Sequence, residues 1–321
     1  MSRFIPAIFF LLIGAGAWFV PVASAEEPAD GNYWALIIGI NKYPNLEKDK
    51  QVEAARGDAE AVAKMIVDRY GFAKKRMIEL YDISANRKAI LHAFSQLKKD
   101  VARQDSLFIY YAGNGVYEST QDKDRATETG FWLPADAEQD DPSSYIFNSQ
   151  VKDFLSTMPA RHVYLVVDAA FSTSLIGRTI SAKAGSREPF QEKSRVVLSS
   201  GWLKPMPDKD KTKKGHSAFA WHFLKILEQN TNPILPARDI AEPLGVRVTN
   251  EPQGKLPKSG PVIASGDEGG QFTFRLAKDA FDPEAEARLK EMQRQNEAAQ
   301  KELRDLEEQL KEAEEKLKKG K

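Results

Sequence analysis

Ser106-Leu107-Phe108-Ile109-Tyr110-Tyr111-Ala112-Gly113-Asn114-Gly115 decides how the chain reads. After Ser106 the run to Ala112 is wholly apolar or aromatic, without the alternation of a half-solvated strand. A short run of this kind suits a strand covered on both faces, and the glycines that follow end it in a tight loop. The same character recurs upstream in Tyr33-Trp34-Ala35-Leu36-Ile37-Ile38-Gly39-Ile40 and downstream in Val163-Tyr164-Leu165-Val166-Val167. Between these runs the spacing turns helical. Asp58 to Tyr70 carries Ala59, Val62, Met65 and Ile66 on one face, and Ala89 to Val101 carries Ile90, Phe94 and Leu97. Arg76–Tyr81 reads as a strand, Ser217–Leu227 as a helix, and Arg195–Leu198 and Gln271–Phe274 as further strands. The alternation predicts an α/β fold, a mostly parallel sheet with helices on both faces. Sites in such sheets lie beyond the carboxyl ends of the strands. That singles out two loops, Gly113-Asn114-Gly115 and Asp168-Ala169-Ala170-Phe171-Ser172-Thr173.

Composition bounds the chemistry. Among 321 residues there are 46 Lys+Arg against 46 Asp+Glu, four His and no cysteine. Disulfides, Cys-ligated metal sites and thiolate nucleophiles are therefore excluded. Balanced charge argues against a general nucleic-acid binder. With 42% hydrophobic residues the chain can bury a full core. No pair of His or acidic residues shows metal-ligand spacing, and no cofactor is expected.

Both ends read as appendages. Arg3 precedes an apolar stretch from Phe4 to Val20. Pro21 then breaks the pattern, and Ala23-Ser24-Ala25 offers the small residues of a signal-peptidase site. Residues 1–25 are thus expected to be a signal peptide, and the mature protein exported to the periplasm or beyond, with no stable membrane span after cleavage. An uncleaved anchor is the alternative, since the run approaches spanning length. At the other end, residues 282–319 repeat apolar positions at alternating spacings of three and four. Leu289, Asn296, Leu303, Leu310 and Leu317 fall at one core position, and Met292, Ala299, Leu306 and Ala313 at the other. This predicts a coiled coil, although Glu302 would face Glu307 across a parallel homodimer. A solvated single helix and pairing with a different chain stay open beside self-association.

The central domain, residues 32–278, resembles the caspase-like cysteine peptidases, particularly bacterial relatives of metacaspases and paracaspases. Tyr33–Tyr43 matches the family's first strand, and Ala55-Arg56-Gly57-Asp58-Ala59 the element opening its first helix. Tyr110-Tyr111-Ala112-Gly113-Asn114-Gly115 stands where the family has an aromatic pair followed by Ala/Ser-Gly-His-Gly. Asp168-Ala169-Ala170-Phe171-Ser172 stands where it has Asp-Ala-Cys-aromatic-Ser. Val197-Leu198-Ser199-Ser200-Gly201, Gly215-His216-Ser217-Ala218-Phe219 and Gly269-Gly270-Gln271-Phe272 are similar to the small-subunit half of bacterial members. Each motif is weak alone, and together they occur in the family's order.

The resemblance implies a caspase-like αβα sandwich and a cysteine–histidine dyad. Both dyad positions are substituted, the histidine by Asn114 and the cysteine by Ala170. An amide does not exchange a proton near neutral pH, and a methyl group does not attack a carbonyl. A hydroxyl would need an adjacent base. Ser172 and Thr173 lie beside Ala170, and of the histidines (His92, His162, His216, His222) His216 can lie near the site. The plain alternative is that Ser172 caps a helix after the strand. Binding is expected to outlast catalysis. The resemblance places Asp168 in the pocket for a basic side chain, with Gly113, Gly115 and Ser172 around it. Asp168 accepting backbone N–H groups in its own turn is the local alternative. Asp58 is expected to be structural, an N-cap of its helix, and Asp208–Lys214 an exposed loop. The function expected is an exported pseudopeptidase that binds a protein or basic peptide. A hydrolase working through Ser172, and a scaffold whose tail is the working part, are the alternatives.

Overall fold

The computed structural model describes residues 31–122, 125–169, 172–177, 191–200, 215–251 and 255–277. The expected signal peptide, Ala170, Phe171, the Asp208–Lys214 loop and the heptad tail lie outside the described residues.

Strand β1, Tyr33–Gly39, leads into helix α1, Ala55–Tyr70, then β2, Met77–Tyr81, and α2, Arg87–Asp100. Strand β3, Ser106–Ala112, is followed by an antiparallel set: β4, Gly115–Asp122, β5, Arg125–Trp132, and β6, Ile146–Phe147. Helix α3, Asn148–Thr157, then precedes β7, His162–Asp168, and β8, Ser194–Ser199. The remainder is α4, Ala218–Gln229, β9, Ile234–Pro236, α5, Arg238–Thr249, β10, Lys258–Pro261, and β11, Thr273–Arg275.

The main sheet has six strands in the order β10-β8-β7-β3-β1-β2. All neighbours are parallel except the edge strand β10, which runs against β8. The central strands are buried on both faces because both faces are covered. Leu36, Ile38, Leu107, Ile109, Tyr111, Leu165 and Val167 pack with α2 and α3 through Ile90, Phe94, Leu97, Val151 and Leu155. Ala35, Ile37, Phe108, Tyr110, Tyr164, Val166 and Leu198 pack with α1, α4 and α5 through Val62, Ile66, Phe219, Phe223, Ile240 and Leu244. Alternate residues of one strand thus feed opposite cores, which is why the strand sequences are continuously apolar. The result is an αβα sandwich, as expected.

Local chemistry sets the element ends. Asn86 caps α2 by accepting the Ala89 N–H at 2.9 Å, and Gly71, at φ 67°, closes α1 in the left-handed conformation with its N–H on the Ile66 carbonyl. Gly39 is small because α1 runs across it. A Cβ there would stand 2.6 Å from the Ala59 Cβ and 2.8 Å from the Ala55 carbonyl oxygen.

Three expectations need correction. Asp58 is not an N-cap. Helix α1 starts earlier, at Ala55, and Asp58 is its fourth residue, facing the core side. Gln271–Phe274 does not add a strand to the main sheet. Thr273–Arg275 pairs antiparallel with β9 in a separate two-stranded ribbon, so that Phe272 and Phe274 fill the core beneath α1 and α4. No α-helix opens at Ser172 within the described residues. Ser172–Leu175 forms a single 3₁₀ turn, and the serine that caps a helix is Ser217, which accepts the Ala220 N–H at 3.0 Å.

Candidate functional site

The two singled-out loops meet at the carboxyl end of the sheet. The β3–β7 register pairs Ala112 with Asp168, and the Gly113 N–H points at the Asp168 carbonyl at 3.4 Å. Gly113 permits a close approach. A Cβ there would meet the Tyr43 Oη at 2.6 Å and the Tyr111 Oη at 3.2 Å.

Asn114 is buried, and its backbone and side-chain NH2 are engaged. Its backbone N–H donates to the Tyr43 hydroxyl at 2.7 Å, and its carbonyl accepts from the Tyr111 hydroxyl at 2.6 Å. Its side-chain amide donates to the Lys50 carbonyl. Burial pushes the Tyr43 and Tyr111 phenols well above their ordinary range, so both remain hydrogen-bonding hydroxyls at any physiological pH. Asn114 is therefore a structural tie between the β3 end and the loop after β1. Beyond it opens a cleft of about 470 Å³, to which Lys50, Gly115, Val116, Tyr117 and Tyr145 contribute walls.

On the α1/α4 face lies an acidic pair. Asp168, the last residue of β7, is 8% exposed, and Asp58 is 1% exposed. The chain between β8 and α4 brings Gly215, His216 and Ser217 across them. His216 Nδ1 sits 2.6 Å from Asp58 Oδ1, and the Ser217 N–H donates to Asp58 Oδ2 at 3.2 Å. The Ser217 hydroxyl donates to Asp168 Oδ2 at 2.6 Å while accepting the Ala220 N–H. One serine thus caps α4 and links the two carboxylates. Burial pushes the Asp58 carboxyl up from the ordinary 3.8, against the opposing pull of His216 and the Ser217 N–H. The His216 ring stacks near Trp221, centroids 6.2 Å apart.

Of the expected site residues, Asp168, Gly113 and Gly115 do gather at this end of the sheet. The backbone of Ser172 starts the 3₁₀ turn that follows β7. Among the histidines only His216 reaches the acidic pair. His162 is the buried first residue of β7, at the opposite end of the strand, His222 pairs with Glu251 at 2.6 Å, and His92 lies on α2. Sequence reading missed Asp58 as a member of the site. The signal was present: Asp58 shares a helical stripe with Val62 and Ile66, and a carboxylate in a core-facing stripe needs a partner. Among the described residues, no group of three His or acidic side chains is placed to hold a metal ion.

The family model "Metacaspase, peptidase C14 domain" matches residues 34–178, from β1 through the loop after β7. Metacaspase-1 of Schizosaccharomyces pombe is 29% identical over 100 residues, covering 29% of this chain and 23% of that protein. Metacaspase-1 of Eremothecium gossypii is 27% identical over 157 residues, 46% of this chain and 33% of its own length. Metacaspase-7 of Arabidopsis thaliana is 36% identical over 104 residues, 30% and 24% respectively. The matched stretch thus spans a third or less of each of these relatives. A solved Geobacter sulfurreducens protein is 16% identical with a TM-score of 0.47, covering 74% of this chain and 97% of its own. The matched region carries four of the six main-sheet strands (β1, β2, β3 and β7) and both acidic residues, and over that region the chain is similar to the metacaspase peptidase C14 family.

Proposed function

We propose that the protein is a pseudopeptidase of the caspase-like family, a module that binds a peptide through a basic side chain and does not cleave it by cysteine chemistry. The observation that carries this reading is the pairing of a retained site with a dismantled one. Asp58 and Asp168 converge at the sheet end, where two carboxylates favour a cation. At the same end Asn114 replaces an imidazole and spends its amide on the Lys50 carbonyl. The chain contains no cysteine that could serve as nucleophile. Export through residues 1–25 and assembly through residues 282–319 complete the proposal. They rest on the apolar run before Ala23-Ser24-Ala25 and on the heptad spacing of the tail.

The test is titration of the purified protein with a short peptide containing one Arg or Lys, by calorimetry, with chromatography of the peptide afterwards. The expected result is saturable binding, intact peptide, and at least a tenfold loss of affinity in Asp168→Lys. Saturable cleavage abolished by Ser172→Ala would instead establish an unorthodox hydrolase. Failure of the wild-type protein to bind any basic peptide would remove the pocket reading.

A further inference from the structure

The cleft beyond Asn114 lies on the side of the sheet away from the acidic pair. Its volume of about 470 Å³ is in the range that takes a small organic group. Leu46, Leu133 and Tyr145, all members of the core beneath α2 and α3, line it together with Val116 and Tyr117 of β4. The Tyr145 ring is braced edge-on by Phe131, centroids 6.0 Å apart. Walls of this kind stand ready before a ligand arrives. One polar atom at the cleft lacks a partner. The Lys50 carbonyl can only accept, so the Asn114 carboxamide turns its NH2 toward it. Its Oδ1 is left as the free end of the amide, on a residue 4% exposed, and no group among the described residues donates to it. A buried acceptor without a donor keeps a desolvation cost that a ligand's N–H would relieve.

Charge narrows what can enter. Glu118 and Asp140 line the cleft against Lys50, an acidic balance that disfavours phosphates and carboxylates. The Asp140 charge reaches the Tyr145 phenol, which is pushed up first by burial and then by that charge. The cleft's Lys50 and Gln139 donors already face carboxylates: the Lys50 ammonium stands 3.8 Å from Asp49, and Gln139 Nε2 donates to Asp140 Oδ1 at 3.2 Å. A cationic side chain is disfavoured for another reason, because apolar walls strip its water. The group that fits is flat, uncharged and a donor only. Indole has those properties, one N–H and no acceptor on a large apolar ring. We infer that the cleft receives a tryptophan side chain of a peptide or protein partner, its Nε1–H on Asn114 Oδ1 and its ring against Tyr117 and Tyr145. The inference does not rest on the basic-peptide reading, since Asp58 and Asp168 lie on the α1/α4 face.

The experiment titrates the full mature chain with acetyl-tryptophan-amide, its N-methylindole analogue, acetyl-phenylalanine-amide, acetyl-arginine-amide and adenosine monophosphate, followed by saturation-transfer NMR. Wild type should bind the tryptophan probe saturably, about tenfold tighter than the N-methylindole and phenylalanine probes, which offer Oδ1 no ring donor. The arginine probe and the nucleotide should bind more weakly still. Asn114→Ala should lose about tenfold for tryptophan and nothing for the N-methylindole analogue, so that the two bind alike. A methyl penalty that persists in Asn114→Ala would be steric and would overturn the hydrogen bond. Melting temperatures are read alongside, and the comparison of probes on wild type decides the matter even if that variant fails to fold. Asp168→Lys should bind the tryptophan probe like wild type, and loss of binding there would overturn the assignment to this cleft. Equal affinity of wild type for indole and N-methylindole, preference for arginine or the nucleotide, or no binding of the tryptophan probe would each overturn the inference.

Discussion

Asp58 shows what a single buried charge does to the molecule around it. Its carboxyl is held above the ordinary 3.8 by burial, only partly offset by His216 and the Ser217 N–H. An acid with a raised value in the folded state binds more protons folded than unfolded across that window. Its contribution to stability is therefore most favourable below 3.8 and falls as pH rises through its raised value. Asp58→Asn deletes this titration while keeping an oxygen for the Ser217 N–H. The variant should gain stability relative to wild type as pH rises from 3.8 through the raised value of Asp58, measured by urea unfolding at each pH. A difference that stays flat, or shrinks with rising pH, would show that the His216 contact outweighs burial. The residue scale is also where sequence reading fell short. Asp168 was legible because it ends an apolar run at a sheet terminus. Asp58 was read as a cap, since the true helix start at Ala55 has Ala54 before it and no side-chain cap to mark it. The free Asn114 Oδ1 was not legible at all, because an unpaired acceptor is a property of the assembled site.

The elements most easily read were those whose burial is complete. Strands β1, β3 and β7 announce themselves as uninterrupted apolar runs, and α2 by its spacing and the Asn86 cap. The antiparallel pair β4–β5 was invisible for the opposite reason. Glu118-Ser119-Thr120-Gln121-Asp122 and Arg125-Ala126-Thr127-Glu128 are polar and carry no periodicity. Helix α5 contains Pro243 and Gly245, which argue against a helix locally, yet Ile240, Leu244 and Val248 are driven into the core. Between elements, the joint most exposed to mutation is the one that docks α3 on β8. Arg195, 1% exposed, donates to the carbonyls of Leu155, Met158, Ala160, Arg161 and Ser194 at 2.7–3.0 Å. It thereby ties carbonyls at and just beyond the end of α3, where the helix's own i+4 donors run out, to the start of β8. Desolvation lowers its pKa to about 10, which still leaves it charged at neutral pH. Arg195→Lys keeps the charge but offers fewer, differently aimed donors. A loss of about 3 kcal/mol in urea unfolding is expected, and a loss below about 1 kcal/mol would show that water takes over those carbonyls.

At the scale of the whole molecule, the globular domain and the heptad tail are proposed to divide the labour, one binding and the other assembling. Truncation after residue 281 separates the two roles. The shortened chain should keep its melting transition and its affinity for basic peptides while sedimenting as a monomer. The full mature chain should sediment as a larger species. Equal sedimentation of both would remove self-assembly, and loss of peptide binding on truncation would show that the tail completes the site.

One further consequence follows from where the partners of the acidic pair sit in the chain. The Ser217 N–H reaches an acceptor 159 residues earlier, and its hydroxyl one 49 residues earlier, across a sheet whose order shuffles the sequence. Contacts of that separation form only after long loops have closed, which makes them slow to appear during folding. No fragment that omits part of the Asp58–Ser217 span contains the pocket, and a chain in which these contacts are unmade does not display it. Capture of a ligand is therefore itself a report that the polypeptide has reached its native topology.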